Sequence, residues 1–195
     1  MASRARFQDP VRDSQAVFRD AMLAMSRPGL IRRLPRALAP PQPLMPATAA
    51  LALALCDFET PVWLDATLTA APGVTDYLRF ETGAQIVIQP NMAAFALIAE
   101  PMAMPALDAF ALGTLADPDR STTLVVQVGI LRSGQGWRLT GPGIVGDVLL
   151  EAAPLRDDCI EDVQRLRQLY PRGVDIFFVH NDSIAGLPRS VLIDA

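Results

Sequence analysis

Thr122-Thr123-Leu124-Val125-Val126-Gln127-Val128-Gly129-Ile130-Leu131 and Val174-Asp175-Ile176-Phe177-Phe178-Val179-His180 are the two stretches on which the fold turns. β-Branched and aromatic residues dominate both, the composition that suits a pleated, buried surface. The first predicts the central strand of a sheet, the second another strong strand. After Leu131 the glycines of Arg132 to Gly136 predict a hairpin loop, with Trp137 to Thr140 returning antiparallel. Gly141-Pro142-Gly143 then has the residue order of a type II turn. Between the two stretches, Asp157 and Asp158 open a predicted helix carrying Cys159, Val163, Leu166 and Tyr170 on one stripe, and Pro171-Arg172-Gly173 stops it. Beyond His180, Asn181-Asp182-Ser183 reads as a turn into Ile184-Ala185.

Working back toward the amino terminus, Asp117-Pro118-Asp119 predicts a turn and Leu107 to Leu112 a helical segment. Phe95 to Ala99, Ile86-Val87-Ile88 and Pro61 to Leu64 are strand candidates, with a short helix expected over Gly73 to Glu81. Ala47 to Leu55 is apolar nearly all round and predicts a helix buried on several sides. Before it, Pro35, Pro40, Pro41, Pro43 and Pro46 form an extended connector, and Leu30 to Leu34 is a short strand candidate. Asp13 or Ser14 can cap a first helix whose Phe18, Ala21, Met22 and Met25 share one face, ending at Pro28-Gly29. Interleaved strands and helices without repeats predict one α/β domain.

What the chain lacks is as informative. Its 195 residues are 51% hydrophobic and 19% charged, yet all 17 basic residues are arginine, and His180 is the only histidine. Without lysine there is no internal Schiff base for pyridoxal phosphate and no P-loop lysine. One histidine with Cys56 and Cys159 makes neither a zinc site of the usual kind nor a four-cysteine iron–sulfur cluster. A net charge of −4 argues against nucleic acid. Two cysteines far apart in sequence predict free buried thiols in a reducing compartment, which the cytoplasm fits. No apolar run opens the chain, and the stretch from Leu44 to Cys56, interrupted by Pro46, is too short to span a bilayer, so neither a signal peptide nor a membrane span is expected.

Four constellations carry polar chemistry, each with a structural counterpart. Arg19, Arg27, Arg32, Arg33 and Arg36 crowd the first helix and its exit. A guanidinium fork suits phosphate or carboxylate, but in a lysine-free chain every surface cation must be arginine, so solvation or subunit contact explains most of them. Arg27 stands apart because the turn holds its backbone. Thr140-Gly141-Pro142-Gly143-Ile144 offers backbone amides to an anion with Arg138 nearby, although a plain hairpin exit has the same letters. His180 precedes Asn181, Asp182 and Ser183, but neighbours alternate across a strand and do not converge as a triad must. Asp57 and Glu59 read as a helix stop and a loop residue more readily than as an acid–base pair. No catalytic centre and no metal site emerge.

Phe7-Gln8-Asp9-Pro10-Val11-Arg12-Asp13-Ser14-Gln15, continuing through Phe18-Arg19 and Met22 to Ala24-Met25-Ser26-Arg27-Pro28-Gly29, resembles the opening of the H subunit of the bacterial carbon–phosphorus lyase. Thr60-Pro61-Val62-Trp63-Leu64, Leu78-Arg79-Phe80 with Thr82, Gly113-Thr114, Leu139 to Ile144, Gly173-Val174-Asp175 and Pro188-Arg189 follow in the same order. The resemblance implies a subunit that joins the G, I and J subunits in a core complex for phosphonate breakdown. That complex forms α-D-ribose 1-methylphosphonate 5-triphosphate from ATP and methylphosphonate with release of adenine. A later radical step belongs to the J subunit, with S-adenosylmethionine and an iron–sulfur cluster. It further implies a three-layer α/β/α domain with a mixed sheet, like the pyridoxal-phosphate transferases but without the cofactor, and a homodimer in isolation. The matched polar and turn positions Arg19, Arg27, Arg79, Thr82, Arg138, Thr140, Gly141, Gly143, Asp175 and Arg189 are thereby candidates for ligand or interface contacts. The competing expectation is an independent enzyme or binding protein that grips an anion or nucleotide with Arg27, Arg138 and the glycine turn.

Overall fold

In the computed structural model, which describes residues 5–34 and 38–194, Thr123–Gln127 forms the middle strand of a seven-stranded sheet. In chain order the elements are α1 (Pro10–Ser26), β1 (Arg32–Arg33), α2 (Pro46–Leu55), β2 (Pro61–Leu64), α3 (Ala66–Ala70), α4 (Val74–Thr82), β3 (Gln85–Val87), β4 (Phe95–Ile98), β5 (Thr123–Gln127), β6 (Ile130–Thr140), β7 (Val148–Ala153), α5 (Cys159–Arg167), β8 (Asp175–His180), β9 (Ser183–Leu187) and β10 (Leu192–Asp194). The large sheet runs β1-β9-β8-β5-β4-β2-β3, and only β9 is antiparallel to its neighbours. Pro35 of the expected connector and Arg36 of the arginine cluster lie outside the described residues.

The central strand is shorter than expected. Val128 still donates its amide to Val179 O at 2.8 Å, but at Gly129 the chain leaves the sheet, and Ile130 and Leu131 open β6 in a second, three-stranded sheet ordered β10-β6-β7. The expected hairpin through Arg132 to Gly136 does not form either. These residues stay within β6, which shifts register between Ser133 and Trp137 and pairs with β7. Gly134 and Gly136 adopt positive φ, and a Cβ on Gly136 would meet Leu150 O at 2.5 Å. The glycines thus serve an irregularity inside a strand and a close strand approach, a role local composition does not separate from a loop.

Side-chain alternation sorts the core into two halves. On one face Val125, Phe177 and Val179 pack with Val17 of α1, Leu51 of α2 and Leu78 of α4. On the other, Leu124, Val126, Ile176 and Phe178 meet Leu139, Leu150 and Ile193 of the small sheet together with Leu166 of α5. The second outer layer of the expected α/β/α arrangement is therefore the three-stranded sheet together with α5, not helices alone, because Ile130–Thr140 and Val148–Ala153 pair as strands on that face. Leu107 to Leu112 supplies only a 3-10 turn, Leu107–Ala109. Tyr170 lies past the end of α5 and is exposed.

The first helix also departs from expectation. Its cap is Asp9, whose side chain accepts from Arg12 N at 3.1 Å, while the buried Asp13 accepts from Gln8 N at 3.0 Å and Asp9 N at 3.2 Å. The face against the sheet is Asp13, Val17, Ala21 and Ala24, which leaves Phe18 51% and Met22 52% exposed. The reason is distance. Gly186 of β9 lies so close to α1 that a Cβ there would meet Ala24 O at 2.6 Å, and only a small-residue face fits that approach.

Candidate functional site

In open parallel sheets ligands sit beyond the carboxyl ends of the strands, where the strand order reverses. Here that place lies between β2 and β4, and it is held by Asp65. The sequence reading passed over this residue, although an aspartate just before a helix is a capping signal. Its Oδ1 accepts from Leu68 N at 2.8 Å, capping α3, and its Oδ2 accepts from Ala99 N at 2.7 Å and Glu100 N at 2.8 Å. The three amides at this anion-binding position are bonded to a buried carboxylate of the chain itself.

The neighbouring strand ends are occupied in the same way. Gln127, buried at the end of β5, accepts from Met45 N at 2.6 Å and donates to Pro43 O at 3.0 Å, pinning the proline-rich connector across the edge. His180 ends β8 with Nδ1 3.0 Å from Val128 O and Nε2 3.1 Å from the side-chain nitrogen of Asn181. A carbonyl only accepts, so Nδ1 donates and Nε2 accepts. Asp182 turns to Arg33, at 2.6 Å. The histidine therefore holds a loop and is not presented to a nucleophile.

At the opposite edge Asp175 and Arg189, both matched positions, come together. Arg189 N donates to Asp175 Oδ1 at 2.9 Å, and Nε lies 3.2 Å from both carboxylate oxygens. Nη1 donates to Pro118 O at 2.7 Å, and Nη2 bonds Ser121 Oγ and Asp175 Oδ2. The guanidinium joins three chain segments and is fully engaged by them. Thr82 is likewise internal, donating to Leu78 O at 2.7 Å and accepting from Ala84 N at 3.0 Å as it closes α4. Arg79 and Arg19 are exposed on α4 and α1.

The structure does bring Arg27 and the glycine turn together. Arg27, Gly29, Ser133, Gly143 and Asp147 share an open cavity of about 470 Å³, rimmed by Leu30, Val145 and Val148. Two glycines make the junction possible. A Cβ on Gly143 would overlap the Ser26 carbonyl, and one on Gly29 would meet Val148 Cγ1 at 2.6 Å. Thr140 ends β6 opposite Leu192, and Ile144 N donates to Gly141 O at 3.2 Å to close the turn. Arg138 faces Asp147 at 3.8 Å with both side chains half exposed, a pair worth about 0–1 kcal/mol. Arg27 makes no side-chain hydrogen bond or ion pair with the described residues.

No catalytic thiol stands near either place. Burial, aided by the charge of Asp57, pushes Cys56 up to about 12. Burial likewise raises Cys159 to about 11, with Arg156 opposing and Asp162 and Asp158 adding to it.

Comparison with known proteins gives the chain its relatives. Residues 5–194 match a family described as bacterial phosphonate metabolism protein (PhnH). The chain is 40% identical over 188 residues, 96% of its own length and 94% of the relative's, to the α-D-ribose 1-methylphosphonate 5-triphosphate synthase subunit PhnH of Rhizobium meliloti strain 1021. Over 83 residues, 43% of each chain, it is 31% identical to a Stutzerimonas stutzeri protein, HtxG, named as a C-P lyase subunit. With the family pattern spanning nearly every described residue, the chain belongs to the PhnH family of bacterial phosphonate metabolism proteins.

Proposed function

We propose that this chain is an assembly subunit, without catalytic residues of its own, of the machinery that makes α-D-ribose 1-methylphosphonate 5-triphosphate from ATP and methylphosphonate and releases adenine. The observation that carries this reading is the engagement of Asp65, Gln127 and His180 at the carboxyl edge of the sheet by the chain's own backbone and side chains. Shape, not reactive groups, is then its contribution. Its partners are the G, I and J subunits, with a homodimer when it is alone, and residues 1–195 act as one domain in the cytoplasm. No helix among the described residues is long and apolar enough to cross a membrane. ATP is a substrate of the assembly, and this chain holds no cofactor. The strand order, with β9 alone reversed, supports the likeness to pyridoxal-phosphate transferases, while the lack of lysine removes their Schiff base.

Purification of the tagged chain from phosphonate-grown cells tests the reading: stoichiometric partners are expected, and a chain that elutes alone overturns it. One observation favours a second reading: Arg27, which makes no side-chain hydrogen bond or ion pair among the described residues, lines the cavity beside Gly143. It requires heat on titration of the purified chain with ATP or methylphosphonate at millimolar concentration, and silence there rejects it.

A further inference from the structure

β3 is one of the two edge strands of the large sheet, and among the described residues it pairs on one side only, with β2. A strand in that position offers unpaired N–H and C=O groups, and soluble proteins guard such edges with charge, proline or cover. From Gln85 through Gln89 this segment carries neither charge nor proline, and Pro90 opens the 3-10 turn that follows it. Ile88 is 93% exposed, Phe80 81%, Phe58 68% and Met92 62%. Gln85 Nε2 reaches Phe58 O at 3.5 Å, and Trp63 Nε1 donates to Ile88 O at 3.1 Å, so Phe58 and Ile88 stand at the two ends of the same strand. Apolar side chains thus flank a row of open backbone groups, the pairing that strand addition uses for specificity and affinity.

The charge around the edge selects among occupants. The loop before β2 contributes Asp57 and Glu59, and the end of α4 contributes Glu81 against Arg79. Two copies joined at β3 would bring two net-acidic rims within about a Debye length of each other, which opposes self-pairing. The geometry points to β3 as the docking edge for an extended apolar segment of another subunit, flanked by lysine or arginine and added as an eighth strand. In naming the surface of assembly, this rests on the subunit reading above.

The test uses the assembly purified through the tagged chain, with wild type, Ile88→Lys and Ile88→Glu compared. Because the Ile88 side chain stands in water, both variants should keep the melting temperature of the free chain. Ile88→Lys should lower partner yield by about tenfold or more, and Ile88→Glu by about threefold or less, since only the lysine repels a basic strand. Amide exchange across 86–88 should slow by about tenfold or more in the assembly relative to the free chain. Partners retained in full by Ile88→Lys, or unchanged exchange, overturns the docking edge while leaving the subunit reading intact. Equal losses for the two variants overturn the basic character of the occupant. Concentration-dependent protection of β3 in the free chain assigns the edge to a second copy and overturns the inference, and a wild-type chain that purifies alone overturns both readings.

Discussion

The Arg189 guanidinium straddles the Asp175 carboxylate, with Nε equidistant from both oxygens at 3.2 Å, and its remaining nitrogens reach Pro118 O and Ser121 Oγ. The contact ties the start of β8 and the segment after β9 to the turn that precedes β5. Two residues that a family pattern nominates for ligand or interface contact are thereby engaged in holding the sheet's amino edge.

Replacing Arg189 by lysine should therefore act on stability. A point charge cannot reproduce the fork, so Arg189→Lys should cost about 2–4 kcal/mol and lower Tm by about 5–10 °C. Thermal unfolding followed by circular dichroism checks this; an unchanged Tm would mean that the network contributes nothing to stability.

Gly143 and Gly146 lie in one loop with similar positive φ, +83° and +74°, but only Gly143 faces the Ser26 carbonyl. Gly146→Ala should cost about 1 kcal/mol for the left-handed backbone, whereas Gly143→Ala adds a steric overlap and should cost about 3 kcal/mol. Urea midpoints compare the two, and equal costs would remove the close approach as the reason for glycine.

Acid should unfold the protein partly through Asp162. Burial by itself would raise this carboxyl, but the hydrogen bonds from Arg165 and the Leu107 amide, together with Arg156, outweigh burial and hold it below the usual carboxylate range. A depressed folded value means that the stabilisation is present above the unfolded pKa of about 3.9 and is lost as pH falls below it. Asp182 beside Arg33 is lowered in the same sense. Asp162→Asn should be less stable at neutral pH by about 1–2 kcal/mol, and its urea midpoint should decline less steeply below about pH 4 than that of the wild type. Parallel pH profiles would refute the assignment.

Neither thiol should react in the folded chain. With Cys56 near 12 and Cys159 near 11, little thiolate exists at neutral pH, and both groups are buried. An aromatic disulfide reagent at about pH 8 should modify them about 100-fold more slowly than in denaturant. A fast-reacting native thiol would contradict the burial.

Much of the element sequence was legible because local chemistry marked it. Pro61–Leu64, Phe95–Ile98 and Asp175–His180 announce themselves by apolar and β-branched runs, α2 by its unbroken apolar surface, and α4 by the glycines at both ends. The candidate positions were less legible. Asp175, Arg189 and Thr82 are matched residues whose work is internal, and the glycine turn meets Arg27 only because two Cβ-free positions let distant segments touch.

The amino-acid sequence by itself determined what chemistry the chain lacks, since no fold restores a missing lysine or a second histidine, and it determined the strand at β5 and β8 through the short-range preference of branched side chains for pleated backbone. Tertiary structure alone decided that the chain leaves the large sheet at Gly129, that β6 takes β7 and β10 as partners, and that α1 turns Phe18 and Met22 outward. Those outcomes depend on which segments meet, and hydrogen-bond pairing and close packing between residues far apart in sequence leave no periodic mark in either segment alone.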